Sequence, residues 1–202
     1  GALLAGAFLV LSVHAYYILK NRHVEISKKA IKIALGVATI FAVLQLATGH
    51  LSADGVAEHQ PAKLAAFEGH FDKNAPADMY LFGWVDKESQ EVVGPKIPGF
   101  LSFLVHWDFD EPVKGLNAFP EDERPGAVNA VFQFYHIMIA IGMILIALTL
   151  YASFKWYRGT LFNQRWLLWI FVFAVLLPQI ANQLGWFAAE MGRQPWVVYG
   201  LL

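Results

Sequence analysis

Apolar residues run almost unbroken through 1–19, 33–48, 127–154 and 166–189, and polar residues crowd the segments between them. Each run approaches the ~20 residues a helix needs to cross a bilayer, or is long enough to cross it with tilt. The first is apolar except for His14 and ends at Lys20-Asn21-Arg22. Lys28, Lys29 and Lys32 precede the second. The third is uncharged apart from His136, and Lys155, Arg158 and Arg165 follow it. The fourth is broken mildly by Pro178. Both short connections are rich in lysine and arginine, so the positive-inside rule makes them cytoplasmic. Trp156, Trp166 and Trp169 fall where an interfacial aromatic belt belongs.

The remaining stretch, 49–126, holds most of the prolines and nearly all the acids, with bases interspersed. It reads as one large loop on the outer side. Within it, 60–71 predicts a short helix, with Pro61 in its first turn and Gly69 as its stop. Short strands are expected near 80–85 and 91–93. Residues 97–107 are apolar enough to lie on a membrane surface and too short to span it. The expected fold is an all-α integral membrane protein: a transmembrane helix bundle of four spans with one large extracytoplasmic loop. Its divisions are 1–48 (two spans and a cytoplasmic basic loop), 49–126 (the loop) and 127–202 (two spans and an outer-face terminal motif).

Composition agrees with this layout. Of the 202 residues, 57% are hydrophobic and 15% aromatic, more apolar surface than a soluble domain of this size needs. Net charge is −1, which gives no footprint for nucleic acid. There is no cysteine, which excludes disulfides, thiolate-held iron–sulfur clusters and covalently attached haem. The chain opens Gly1-Ala2-Leu3-Leu4 without a basic leader and reads as part of a longer one, with material before Gly1 and after Leu202.

Four groups carry candidate chemistry. Met138 lies inside the third span with Gly142 one turn on, and a thioether beside a small residue is one way to dock a flat macrocycle; packing is the commoner use of a membrane methionine. His136 sits about 200° around the helix from Met138, so the two cannot serve one face; a hydrogen-bonding role suits it better than ligation. On the loop helix, Lys63 and Glu68 are about 140° apart. They do not share a face, yet both can border one site, where a carboxylate near a positive charge suits a substrate that gives up protons. His50, Glu58, His59 and His70 lack the tight spacing of a metal site. Finally, Glu190 closes the last apolar run, with Trp186 one turn earlier on the same face and Arg193 three residues later. A carboxylate at that depth is costly and marks a functional site by default; the plain alternative is a helix end neutralised by Arg193.

Two stretches resemble subunit I of the cytochrome bd quinol oxidases. Gln60-Pro61-Ala62-Lys63-Leu64-Ala65-Ala66-Phe67-Glu68-Gly69 is similar to the start of that family's quinol-binding loop. Gly185-Trp186 through Gly192-Arg193-Gln194-Pro195-Trp196 resembles its Gly-Trp…Glu-x-Gly-Arg-Gln-Pro-Trp signature. The resemblance covers essentially the whole chain, as about the fifth to eighth helices of a longer subunit with a short loop. It implies that Met138 is an axial ligand of low-spin haem b, whose histidine partner falls before Gly1. It implies that Glu190 ligates a high-spin haem, b or d. Trp186 would then lie between haems, and Arg193, with Trp196, would stand near the haem groups. Lys63 and Glu68 would take part in oxidising ubiquinol or menaquinol at the outer face. Further implications are O2 as the electron acceptor, a second subunit and a small single-helix subunit as partners, and a bacterial or archaeal cytoplasmic membrane as the location. His136 departs from the family pattern, which has Arg two residues before the methionine. Two other classes remain open: a transporter or channel with Glu190 as its ion or proton site, and a haem-b anchor of another quinone enzyme.

Overall fold

A computed structural model describes residues 1–72, 75–196 and 198. Helix α1 (Ala2–Leu19) is followed by α2 (Val24–His59) and the short α3 (Pro61–Glu68). Two antiparallel ladders come next. Strand β1 (Met79–Tyr80) pairs with β4 (Lys96–Ile97), and β2 (Trp84–Asp86) with β3 (Glu91–Val93). Helix α4 (Phe100–His106) precedes the long α5 (Val128–Tyr157), and α6 (Arg165–Ala174) and α7 (Leu176–Gly192) close the fold. Among the described residues, four stretches are long and apolar enough to cross a membrane: Ala2–Leu19, Val24–His59, Glu121–Tyr157 and Arg165–Gly192.

The chain forms two compact units, Gly1–Thr48 with Met138–Gln183, and Gly49–Ile137 with Leu184–Leu202. In the first, α1 lies against α6. Phe8, Leu11, Leu35, Leu167 and Phe171 are fully buried. Ser12 donates to the Val172 carbonyl, and Thr39 bonds the Ser153 hydroxyl, so polar side chains inside the apolar runs find partners. His14 bonds Ser27 at 3.1 Å across the α1–α2 turn, a structural use of that histidine.

The second unit has its own core of Phe67, Phe71, Val85, Val92, Leu116, Val131 and Phe132. Each such side chain contributes roughly 1.5–3 kcal/mol on burial, so the long loop is a packed structure. Gly69 ends α3 in the left-handed region (φ 63°). A Cβ there would lie 2.7 Å from Val92 and 3.1 Å from Val85, so the turn and its close packing both require glycine.

Two boundaries differ from the sequence expectation. The second helix continues past 48 to His59, because Val56 and Ala57 pack against buried clusters of the loop and hold the extra turns. The strand expected at 80–85 is split into β1 and β2. The mild break expected at Pro178 in the fourth span falls at Val175. Pro178 has no N–H for the Ala174 carbonyl and its ring crowds that carbonyl, so the break falls before the proline.

Candidate functional site

Helix α3 owes its limits to Pro61 at the first turn and Gly69 at the cap. Its side chains leave in two directions. Lys63 is half-buried and its Nζ lies 5.7 Å from the centre of the Phe67 ring. Phe67 stacks on Tyr135 of α5, with centroids 4.5 Å apart. The same pair of residues packs on the end of α7: a Cβ on Gly192 would lie 3.0 Å from Phe67 and 3.3 Å from Lys63. The absent side chain at Gly192 lets the loop helix approach the segment that carries Glu190. Burial pushes the Lys63 pKa down, the Glu190 charge pulls it back up, and Arg193 pushes it down again.

Glu68 points the other way and is 3% exposed. Its Oε2 is buried without a hydrogen-bond partner, and so is Oε1 of Gln60 at the start of the same helix. Burial alone drives the Glu68 carboxyl up to about 8, because an ion there would lose its water. His136 Nε2 is 3.9 Å away, too long for a hydrogen bond. A polar cavity of about 350 Å³ opens beyond Gly69, with His70, Asp72, Asp78, Tyr80 and Lys96 among its walls.

At the end of α7, Arg193 engages Glu190 through Nε at 2.9 Å and Nη2 at 2.6 Å, both on Oε2. Arg193 also donates to the Trp196 carbonyl, and the Trp196 N–H returns to the Arg193 carbonyl at 3.0 Å, which closes the turn. Trp186 is 58% exposed, with Phe187 against its ring. Lys63, Glu190 and Arg193 therefore gather at one place, and Glu68 faces His136 instead. Met138 belongs to the first unit, half-buried on α5. Gly142, one turn on, would place a Cβ in open space.

One feature was not legible in the sequence. Asn129, Gln133 and His136 stand at i, i+4 and i+7 on α5, hence on one face. Asn129 accepts from the Val85 N–H at 3.0 Å, Gln133 donates to the Gly83 carbonyl at 2.6 Å, and His136 Nε2 meets the Tyr80 carbonyl at 2.9 Å. Three polar groups spaced by single turns thus bind backbone groups of residues 85, 83 and 80 in the β1–β2 segment. The period-of-a-turn spacing is visible in the sequence, but the backbone partners are not.

The described residues make a mostly helical, multi-pass membrane chain with one long packed loop. The chain belongs to the cytochrome bd terminal oxidase subunit I family, whose model matches residues 1–202. It is 39% identical over 209 residues to a Bacillus subtilis (strain 168) protein assigned as a cytochrome bd menaquinol oxidase subunit I, covering 100% of this chain and 46% of that one. It is 33% identical to the cytochrome bd ubiquinol oxidase subunit 1 of the same organism, over 100% of this chain and 45% of the relative. The bd oxidase structure from Geobacillus thermodenitrificans superposes with a TM-score of 0.84 at 34% identity, over 96% of this chain and 45% of that chain. This chain thus spans about half the length of the relatives it matches.

Proposed function

We propose that this chain supplies the quinol-oxidising loop and part of the haem-holding bundle of a quinol:oxygen oxidoreductase. The observation that carries the reading is Glu68: a buried carboxyl with an unpartnered oxygen, poised near neutral pH, on a helix whose Lys63 neighbours the Glu190–Arg193 pair. A quinol presents two O–H donors, and Glu68 and Gln60 are buried acceptors without partners. Oxidation releases two protons and two electrons. Glu68 in its ionised form accepts a proton as the hydroxyl is oxidised, and a base with a pKa near the working pH does this most effectively. Lys63, on the other side of α3, supplies positive charge at the Glu190–Arg193 end, and its half-buried position strengthens that charge's effect over its value in water.

The residues present suit haem. Met138 offers a thioether one turn from the open space at Gly142, the donor expected for a low-spin haem b. Glu190 has one oxygen held by Arg193, which leaves Oε1 outside that fork to serve as ligand to a high-spin haem, b or d. Exposed Trp186 provides an apolar face toward a macrocycle, and Arg193 with Trp196 fixes the turn that presents the carboxylate. Bound haem supplies one-electron transfer and the reduction of O2 to water.

The basic connections 20–32 and 155–165 face the cytoplasm under this reading, and the loop of 49–126 lies outside. Protons are released outside and taken for water from inside, so turnover charges the membrane without a pump. A second subunit, a small single-helix subunit and the lipid bilayer are the expected partners, in a bacterial or archaeal cytoplasmic membrane. The test is a reduced-minus-oxidised spectrum of the purified complex together with quinol-driven oxygen uptake. Haem b and far-red haem d bands with uptake support the proposal. Haem b bands alone would favour a haem-b anchor, and no haem bands would sink both redox readings.

A further inference from the structure

We propose that His136 is a positioning residue of the quinol-oxidising site, tying the β1–β2 segment over the buried carboxyl of Glu68. This rests on the functional reading above. His136 is 7% exposed, inside a helix where a polar side chain needs a purpose. Its ring stacks on Phe132 with centroids 3.9 Å apart and meets Tyr135 edge-on. Those two contacts fix the plane of the imidazole.

The two ring nitrogens face different backbone carbonyls. Nδ1 is 2.9 Å from the Phe132 carbonyl and Nε2 is 2.9 Å from the Tyr80 carbonyl. A neutral imidazole carries one N–H. The Phe132 carbonyl is one turn earlier on α5 and already receives the helix's own bond. The Tyr80 carbonyl belongs to the loop, so the tautomer with the proton on Nε2 satisfies the group that most needs it. In that arrangement the N–H is spent on the loop, and Glu68 Oε2, 3.9 Å from the same nitrogen, keeps no donor. His136 thereby does two things at once. It anchors the Tyr80 end of the segment that Asn129 and Gln133 hold at residues 85 and 83, and it leaves the Glu68 oxygen free for a substrate hydroxyl. It does not touch the reacting atoms in this arrangement.

The test compares His136→Ala and His136→Gln in the assembled membrane complex. Oxygen uptake is driven either by quinol or by a small phenylenediamine donor that does not need the quinol site. Loss of one buried hydrogen bond and its positioning predicts a KM for quinol raised about tenfold in His136→Ala. Phenylenediamine-driven uptake stays unchanged. His136→Gln keeps an N–H donor and brings the quinol KM back toward wild type. A wild-type KM in His136→Ala, or a parallel fall with both donors, would overturn the inference. Backbone hydrogen exchange over residues 79–86 reads the tie directly: it speeds up in His136→Ala and recovers in His136→Gln. Unchanged exchange overturns the inference whatever the activity. A wild-type complex that oxidises no quinol overturns only the functional reading.

Discussion

Arg193 places Nε and Nη2 on a single oxygen of Glu190, at 2.9 and 2.6 Å. The fork settles the carboxylate's orientation and leaves Oε1 outside it. The side chains are 32% and 40% exposed, so the pair adds less than about 1 kcal/mol to stability. Its value lies in aim. Arg193→Ala is therefore expected to leave the thermal midpoint of the complex nearly unchanged and to diminish the high-spin haem absorbance. Arg193→Lys does not restore it, because an ammonium cannot form the fork. Optical spectra recorded beside a melting curve check this.

Met138→Leu keeps the volume of the α5 side chain and removes the sulfur. The low-spin haem b signal is expected to disappear while the high-spin bands remain. A reduced-minus-oxidised spectrum identical to wild type would rule out Met138 as a ligand.

Gly69→Ala strikes the left-handed cap of α3 and pushes a Cβ to 2.7 Å from Val92. The backbone cost alone is about 1 kcal/mol, and the collision with the loop core adds to it. Faster limited proteolysis within 60–126 and a raised quinol KM are the expected outcomes. A variant indistinguishable from wild type in both would show that this turn relaxes freely.

Much of this was legible in the sequence, for definable reasons. Pro61 and Gly69 bracket α3 because each has a backbone preference that acts locally. Gly192 ends α7, and the Glu190–Arg193 pair follows from i, i+3 geometry. The four spans follow from length and hydropathy. What escaped depends on partners distant in the chain. The last turns of α2 carry Ser52, Asp54 and Glu58 and look like loop; packing of Val56 decides the matter. Asn129 and Gln133 looked like unremarkable polar residues near a helix start, because the groups they bind are backbone atoms of 85 and 83. Residue types do not announce such partners. Gly192 carries a signature glycine, but only the fold explains it, through the approach of Lys63 and Phe67.

The central claim is that Glu68 accepts the substrate's proton, and Glu68→Gln in the assembled complex tests it most directly. The Gln side chain keeps the shape and cannot take up a proton. Burial pushes the Glu68 carboxyl up to about 8, so quinol-driven oxygen uptake should climb as pH rises toward that value and fall below it. Stability runs the opposite way. The folded pKa lies above the unfolded one, so the contribution of the neutral carboxyl is complete below about 4.5 and is lost as pH rises through about 8. Glu68→Gln is expected to abolish the rising limb, lower the quinol-driven rate by roughly 10²-fold or more, and leave phenylenediamine-driven uptake intact. A Glu68→Gln enzyme that oxidises quinol at the wild-type rate, with the same pH profile, would contradict the account.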